Sequence, residues 1–240
     1  YLNTPETIIF HKGRILYNLD RARGAIKQEK ATVVVEGQMD VIASWQAGVK
    51  NVVASSGTAL TDEHLQALYR YTPNIIFAFD SDNAGLITAK KAYEMAISYG
   101  FNVKMVSLSE FKDPGEMIEK DPSLWSKQVS EAKPVIDWYF DLAFSKKMAL
   151  KQELSAQEKK EIAREILPII QKIPDQIERA HYAGLLAKRL KVAESAVFDT
   201  LVRLSEKKIN PPKTQTKKSE KPKISAEDLF MGILLKRPAK

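Results

Sequence analysis

The run Ala31-Thr32-Val33-Val34-Val35 ends on Glu36-Gly37, and the run Ile75-Ile76-Phe77-Ala78-Phe79 ends on Asp80-Ser81-Asp82. A third run, Val103-Lys104-Met105-Val106-Ser107-Leu108, is followed shortly by Asp113. Short β-branched and aromatic stretches of this kind, each succeeded by a helical pattern, read as strands of a parallel sheet. Ligands of open parallel sheets bind just beyond the carboxyl ends of the strands. Glu36, Asp80, Asp82 and Asp113 are therefore expected on one rim. Two carboxylates ~4 Å apart repel by about 4 kcal/mol at an effective dielectric of ~20. Such a group is costly unless a cation sits among its members, and magnesium suits an all-oxygen site that also holds substrate phosphates.

Working outward from these runs, residues 31–118 alternate strand and helix. A helix through Asp40, Ile42 and Trp45 stops at Gly48. A further strand, 51–54, runs into Ser55-Ser56-Gly57-Thr58, and Thr61 reads as the N-cap of a helix to about Tyr71. The helix after Asp82 runs from Ala84 to Tyr99 and ends at Gly100. The expected fold class is α/β, a parallel Rossmann-like sheet with helices on both faces, followed by an all-α bundle. In that second part, 135–148 reads as helix. Ser155 with Glu158 forms a capping box for a helix whose Pro168 is expected to kink it. Helices over 177–190 and 194–207 follow. Asn210-Pro211-Pro212 and the Lys/Ser/Thr-rich sequence after it read as a disordered linker.

The chain has 240 residues, a net charge of +7 and no cysteine. The last fact excludes disulfides and cysteine-ligated zinc. Residues 205–223 hold seven Lys against two Glu, so most of the surplus charge lies in the linker and the folded part is near neutral. There is no apolar run of about 18 residues, hence no spanning helix, and no secretory leader is evident. These features predict a cytoplasmic protein, and the start at Tyr1 reads as a fragment. The histidines His11, His64 and His181 are scattered and read as surface or helix-face residues. Trp45, Trp125 and Trp138 read as packing residues. Lys12, Arg14 and Arg21 divide between solvated charge and contacts to a template or nucleotide.

A strand-end Glu followed by a strand-end Asp-x-Asp in this frame resembles the Toprim domain of primases, topoisomerases and some nucleases. Neighbouring motifs narrow the likeness. Glu36-Gly37-x-Met39-Asp40-Val41-Ile42-Ala43 with Gln46-Ala47-Gly48 is similar to bacterial DNA primases. So are Ala54-Ser55-x-Gly57-Thr58-Ala59-Leu60-Thr61, Asp80-x-Asp82-x-Ala84-Gly85 and Asp113-Pro114. Tyr1-Leu2-Asn3-x-Pro5-Glu6-Thr7, Phe10-His11-Lys12-Gly13 and Leu16-Tyr17 follow the same order.

The resemblance implies templated synthesis of short RNA primers on single-stranded DNA from NTPs. It implies Mg²⁺, with Mn²⁺ as a substitute, held by Glu36, Asp40, Asp80, Asp82 and Asp113. Asp80 and Asp82 are the foremost ligands, and Glu36 is a ligand or the group that deprotonates the attacking hydroxyl. Ser55, Gly57, Thr58, Lys12 and Lys91 are the expected nucleotide and phosphate contacts. It further implies a cytoplasmic monomer at the replication fork, with the replicative helicase as partner.

The resulting division is residues 1–30 as the end of an N-terminal part of the polymerase core, 31–118 as Toprim domain and 119–208 as helical subdomain. Residues 209–224 are linker, and 225–240 the truncated start of a helicase-binding domain. Departures from the family pattern are Gln38 for an aromatic residue, Ser81 for a glycine, Lys91 for an arginine, and Gly115 for an acid, with Glu116 one step displaced. The alternatives are a Toprim topoisomerase or nuclease, and a non-catalytic piece that recruits the helicase.

Overall fold

The apolar runs become β1 (Thr32–Val35), β2 (Val52–Ala54), β3 (Asn74–Ala78) and β4 (Asn102–Met105). The structure, a computed structural model, describes residues 7–8, 11–55, 59–108, 111–148 and 153–209. Every residue of β1 and β2 is buried, as is β3 after Asn74, while β4 alternates exposed and buried. Continuous burial is the mark of parallel strands covered on both faces. The sheet order is β2-β1-β3-β4-β5, with the first four strands parallel. β5 (Lys133–Pro134) is antiparallel to β4. This fifth strand was not expected: two residues are too few to show a period.

Alternation along the strands sets the layers. Val33, Val35, Ile76 and Ala78 pack with Val41 of α2 (Gln38–Gln46), Met117 and Ile118 of α5 (Pro114–Lys120), and Trp125 of α6 (Pro122–Ser130). Trp125 is wholly buried, as a packing residue should be. Val34, Ile75 and Phe77 point the other way and are buried too, so the second face is also covered.

The helices α3 (Asp62–Tyr69) and α4 (Asn83–Ser98) match the expected positions within a few residues, and Gly48 and Gly100 stop α2 and α4 with positive φ. The helix α1 (Leu19–Glu29) lies in the lead-in, where no helix was expected. Tyr17 just before it exchanges backbone hydrogen bonds with Ala54 at 2.8 and 3.3 Å. That pairing covers part of the outer edge of β2, which would otherwise be open.

Beyond the sheet, α7 (Val135–Met148), α8 (Ala156–Ile170), α9 (Gln176–Leu190) and α10 (Glu194–Ile209) follow the expected spans closely. The Ser155–Glu158 box is present, with Glu158 N–H donating to Ser155 at 3.3 Å and Ser155 N–H donating to Glu158 at 2.8 Å. Such a cap is worth about 1 kcal/mol. Pro168 lies in the last turn of α8, which continues past it to Ile170, so the proline falls near a terminus rather than mid-helix. Arg189 of α9 stacks over Phe140 and Phe144 of α7, 5.5 Å from each ring, and pairs with Asp141 at 3.6 Å.

Packing does not break at residue 118. β5 and α7 lie on β4, and Tyr1–Phe198 forms one compact unit. The second unit is Asp199–Lys240, of which the described part is the end of α10. The expected linker and helicase-domain start at 225–240 lie outside the described residues, Ile209 excepted.

Candidate active site at the carboxyl rim of the sheet

In the order β2-β1-β3, successive connections leave β1 to opposite sides, so the chain's switch point falls between β1 and β3. That crevice is where open α/β sheets bind ligands. Val35 pairs with Ala78, which brings Glu36 and Asp80 side by side. The Asp80 N–H donates to Glu36 Oε1 at 3.4 Å.

The other acids are anchored as helix caps. Asp82 caps α4, accepting the Gly85 N–H at 2.7 Å. Asp113 caps α5, accepting the Glu116 N–H at 2.8 Å. Asp40, in the first turn of α2, accepts the Gly37 N–H at 3.1 Å. Asp82 and Asp113 are each held by one such bond, Asp40 meets the Gly115 N–H as well, and each lies at a helix N-terminus, where negative charge is favoured.

The electrostatics show that these groups share one field. Burial pushes the Asp80 carboxyl up to about 6, helped by the charges of Glu36, Asp40, Asp113 and Asp82. Glu36 is raised by burial and by Asp82 and Asp40, against the pull of the Asp80 N–H. Asp40 is raised by burial and by Asp113, against the Gly37 and Gly115 N–H groups. Asp80 therefore sits at the centre of the set. Among the described residues, no three of His, Cys, Asp or Glu form a ready-made metal cluster. The carboxylates stand apart and interact through space.

A raised folded pKa stabilises the protein fully below the unfolded value near 4, and that contribution is lost as pH rises through about 6. Asp80→Asn, neutral at every pH, is therefore expected to be more stable than the unmutated chain at pH 7.5. The gain is about 1 kcal/mol once solvent screening of this partly exposed group is allowed for. It should fall to roughly half at pH 5, where the folded carboxyl is protonated but the unfolded one is not, and vanish only below the unfolded value near 4. Melting curves of both chains at the two pH values, without divalent ions, check this.

The departures now have a physical reading. Ser81 has no positive φ, so glycine is not required there. Its hydroxyl donates to the carbonyls of Phe111 and Lys112 at 3.0 and 3.2 Å, and its N–H to Lys112 at 2.8 Å, tying the turn to the segment before Asp113. Glu116 accepts the Lys112 N–H at 2.7 Å and so serves that loop instead of standing in for an acid at position 115.

Of the expected phosphate contacts, Ser55 follows β2 on the rim and is buried. Gly57 and Thr58 lie outside the described residues. Lys12 begins a short 3-10 turn (Lys12–Arg14) packed on α3. Lys91 lies on α4, nine residues past the Asp82 cap, and is exposed.

One residue of the motif makes a contact the sequence did not show, and one residue was missed. Gly85 abuts the Asp80 carbonyl, which would lie 2.0 Å from any Cβ added there. His64 is wholly buried, not a surface group. It accepts the Thr61 N–H at 3.3 Å and contacts the Lys12 carbonyl at 3.2 Å. The signal was a capping pattern, Thr61-x-x-His64, with histidine in the place usually held by Glu or Gln.

Comparison with known proteins bears on both halves. A family model described as Toprim-like matches residues 33–118. A second, described as the DnaB-helicase binding domain of primase, matches residues 154–195. That match falls on α8 and α9, not on 225–240, where the sequence suggested a helicase-facing domain. The DNA primase of Salmonella typhimurium is 31% identical over 243 residues, covering 99% of this chain and 40% of that protein. The chain thus spans about two fifths of that relative's length. A DNA primase domain from Pseudomonas aeruginosa superposes with a TM-score of 0.64 at 31% identity, over 84% of this chain and 63% of that one. A DnaG primase catalytic domain bound to ssDNA superposes with a TM-score of 0.63 at 32% identity, over 82% of this chain and 62% of that one. No helix among the described residues is long and apolar enough to cross a membrane.

Proposed function

The chain belongs to the bacterial DNA primase family, and we propose that its acidic rim is the nucleotidyl-transfer centre of an enzyme that builds short RNA primers from NTPs on single-stranded DNA. The observation that carries this reading is the Asp80 carboxyl at the β1/β3 switch point, pushed up to about 6 by burial and by the joint field of Glu36, Asp40, Asp113 and Asp82. Strongly perturbed acids in a crevice mark sites built for a positive partner or a proton.

The donor set fits a hard divalent ion. Magnesium commonly takes one or two carboxylates and completes its shell with water and substrate phosphates, so three converging side chains are not needed. Asp80 and Asp82 would hold Mg²⁺ or Mn²⁺ directly, with Glu36 beside them and Asp40 and Asp113 forming an outer pair. The ion supplies neutralisation of phosphoryl charge and alignment of the in-line displacement. Glu36 acts as a ligand or accepts the proton of the attacking 3′-hydroxyl. The capping bonds to Asp82, Asp113 and Asp40 fix these carboxylates in advance. Ser55 at the end of β2 and Lys12 in the turn packed on α3 would meet nucleotide phosphates. The region of α8 and α9 would face the replicative helicase, and the protein acts as a monomer.

The full-length protein should make short RNAs on ssDNA with NTPs and Mg²⁺ or Mn²⁺. Glu36→Gln should lower that rate at least ~10²-fold. Relaxation or cleavage of DNA by the unmutated protein, without primers, would instead favour the topoisomerase or nuclease reading.

A further inference from the structure

His64 is the third residue of α3, and its side chain faces the backbone of a segment some fifty positions earlier in the chain. Its Nδ1 accepts the Thr61 N–H at 3.3 Å, so that nitrogen carries no hydrogen. Its Nε2 lies 3.2 Å from the Lys12 carbonyl, which can only accept, so Nε2 is the donor. A doubly protonated ring would set two N–H groups against each other at Thr61. The geometry therefore admits one form, the neutral Nε2–H tautomer. Burial lowers the pKa of the ring, against the Lys12 and Ile15 carbonyls, which agrees with that form.

Thr61 completes the clamp. Its hydroxyl donates to the Gly13 carbonyl at 2.6 Å and accepts the His64 N–H at 3.1 Å. Tyr17 pairs with Ala54, the last residue of β2, and Ala54 pairs with Val35 next to Glu36. The segment carrying Lys12 and Arg14 is thereby fastened to the start of α3 and to the end of β2, the strand beside β1. Phosphates that reach from the acids toward this turn would meet the Lys12 side chain, so the place of the turn matters.

We infer that His64 is a positioning residue for nucleotide binding: through its Nε2–H it holds the Lys12 backbone, and so the Lys12 ammonium, where the phosphates of an incoming nucleotide are received. The inference rests on the nucleotidyl-transfer reading above. Phosphate binding of this kind is made in ground and transition states alike, so its loss should appear in KM.

In the full-length protein, His64→Phe should raise the NTP KM about 10-fold and change kcat less than about 2-fold. His64→Gln offers an amide that can accept from Thr61 and donate to Lys12, and should bring KM back to within ~3-fold of normal. Lys12→Ala and the double variant should share one KM, because the histidine acts through the lysine. Leu186→Ala, in the buried core of α9, should lower Tm without moving KM. An unchanged KM in His64→Phe, no recovery in His64→Gln, multiplying effects in the double variant, or an equal rise in Leu186→Ala would each overturn the inference. An unmutated protein that makes no primers would overturn the nucleotidyl-transfer reading itself, a result visible before any variant is made.

Discussion

Gly85→Ala is expected to destabilise the protein by ~3 kcal/mol or more, the upper range for overpacking, and to impair the acidic rim at the same time. A Cβ at this position would stand 2.0 Å from the Asp80 carbonyl oxygen and 2.8 Å from its carbon. Both are backbone atoms, so no side-chain rotation relieves the clash. The glycine is also tied by its own N–H to Asp82 Oδ1 at 2.7 Å. The first turn of α4 and the strand-end aspartates thus form one closed loop of contacts, and separating any two of them moves the carboxylates. For a chain of this size ~3 kcal/mol corresponds to a Tm loss of roughly 6–12 °C. Gly24 supplies the contrast. It lies within α1, and a methyl group added there would meet nothing within 4 Å. Gly24→Ala should therefore stabilise by up to ~1 kcal/mol, the helix-propensity gain. Melting curves of the two variants test the argument, and a Gly85→Ala chain as stable as the unmutated one would refute it.

These two glycines show what sequence can and cannot reveal. Gly85 belongs to the Asp80-x-Asp82-x-Ala84-Gly85 motif, so its importance was legible, but the atom it approaches was not. That atom is five residues away in sequence and is met only when β3 turns into α4. Glu36, Asp80 and Asp82 were legible because their strands are fully buried on both faces. Such strands leave continuous apolar runs whose ends are plain, and parallel topology sends those ends to one rim. The helix α1 left no comparable trace: it carries Gly24 and buries little beyond Ala22 and Ile26, too narrow a stripe to show a period. α5 and α6 announce themselves differently. Each has an aspartate cap followed by proline, Asp113-Pro114 and Asp121-Pro122, a start signal that hydrophobic patterning overlooks. β5 and the His64–Lys12 contact depend on long-range packing, which no local pattern encodes.

Asp80→Asn should invert the order of stability between variant and unmutated protein when a divalent ion is added. Without metal at pH 7.5 the variant is expected to be the more stable, because it removes the most strained charge of the rim. With Mn²⁺ at one hundred times its dissociation constant, the unmutated chain should gain about 2.7 kcal/mol by mass action. The variant lacks the central carboxylate, and with Asp82→Asn added it should gain nothing. The same substitution should reduce primer synthesis by the full-length protein ~10³-fold, equivalent to about 4 kcal/mol of lost transition-state stabilisation. The two measurements bear on one physical cause. Carboxylates that repel one another without metal are tolerated because a cation converts their repulsion into binding, so stability lost in one state reappears as affinity in the other. A surface cluster with no function would show neither effect: its aspartates would lie near the usual carboxylate range, and neutralising them would leave the response to Mn²⁺ unchanged. Metal-dependent stabilisation that survives in the double variant would place the ion elsewhere and remove these aspartates from the chemistry.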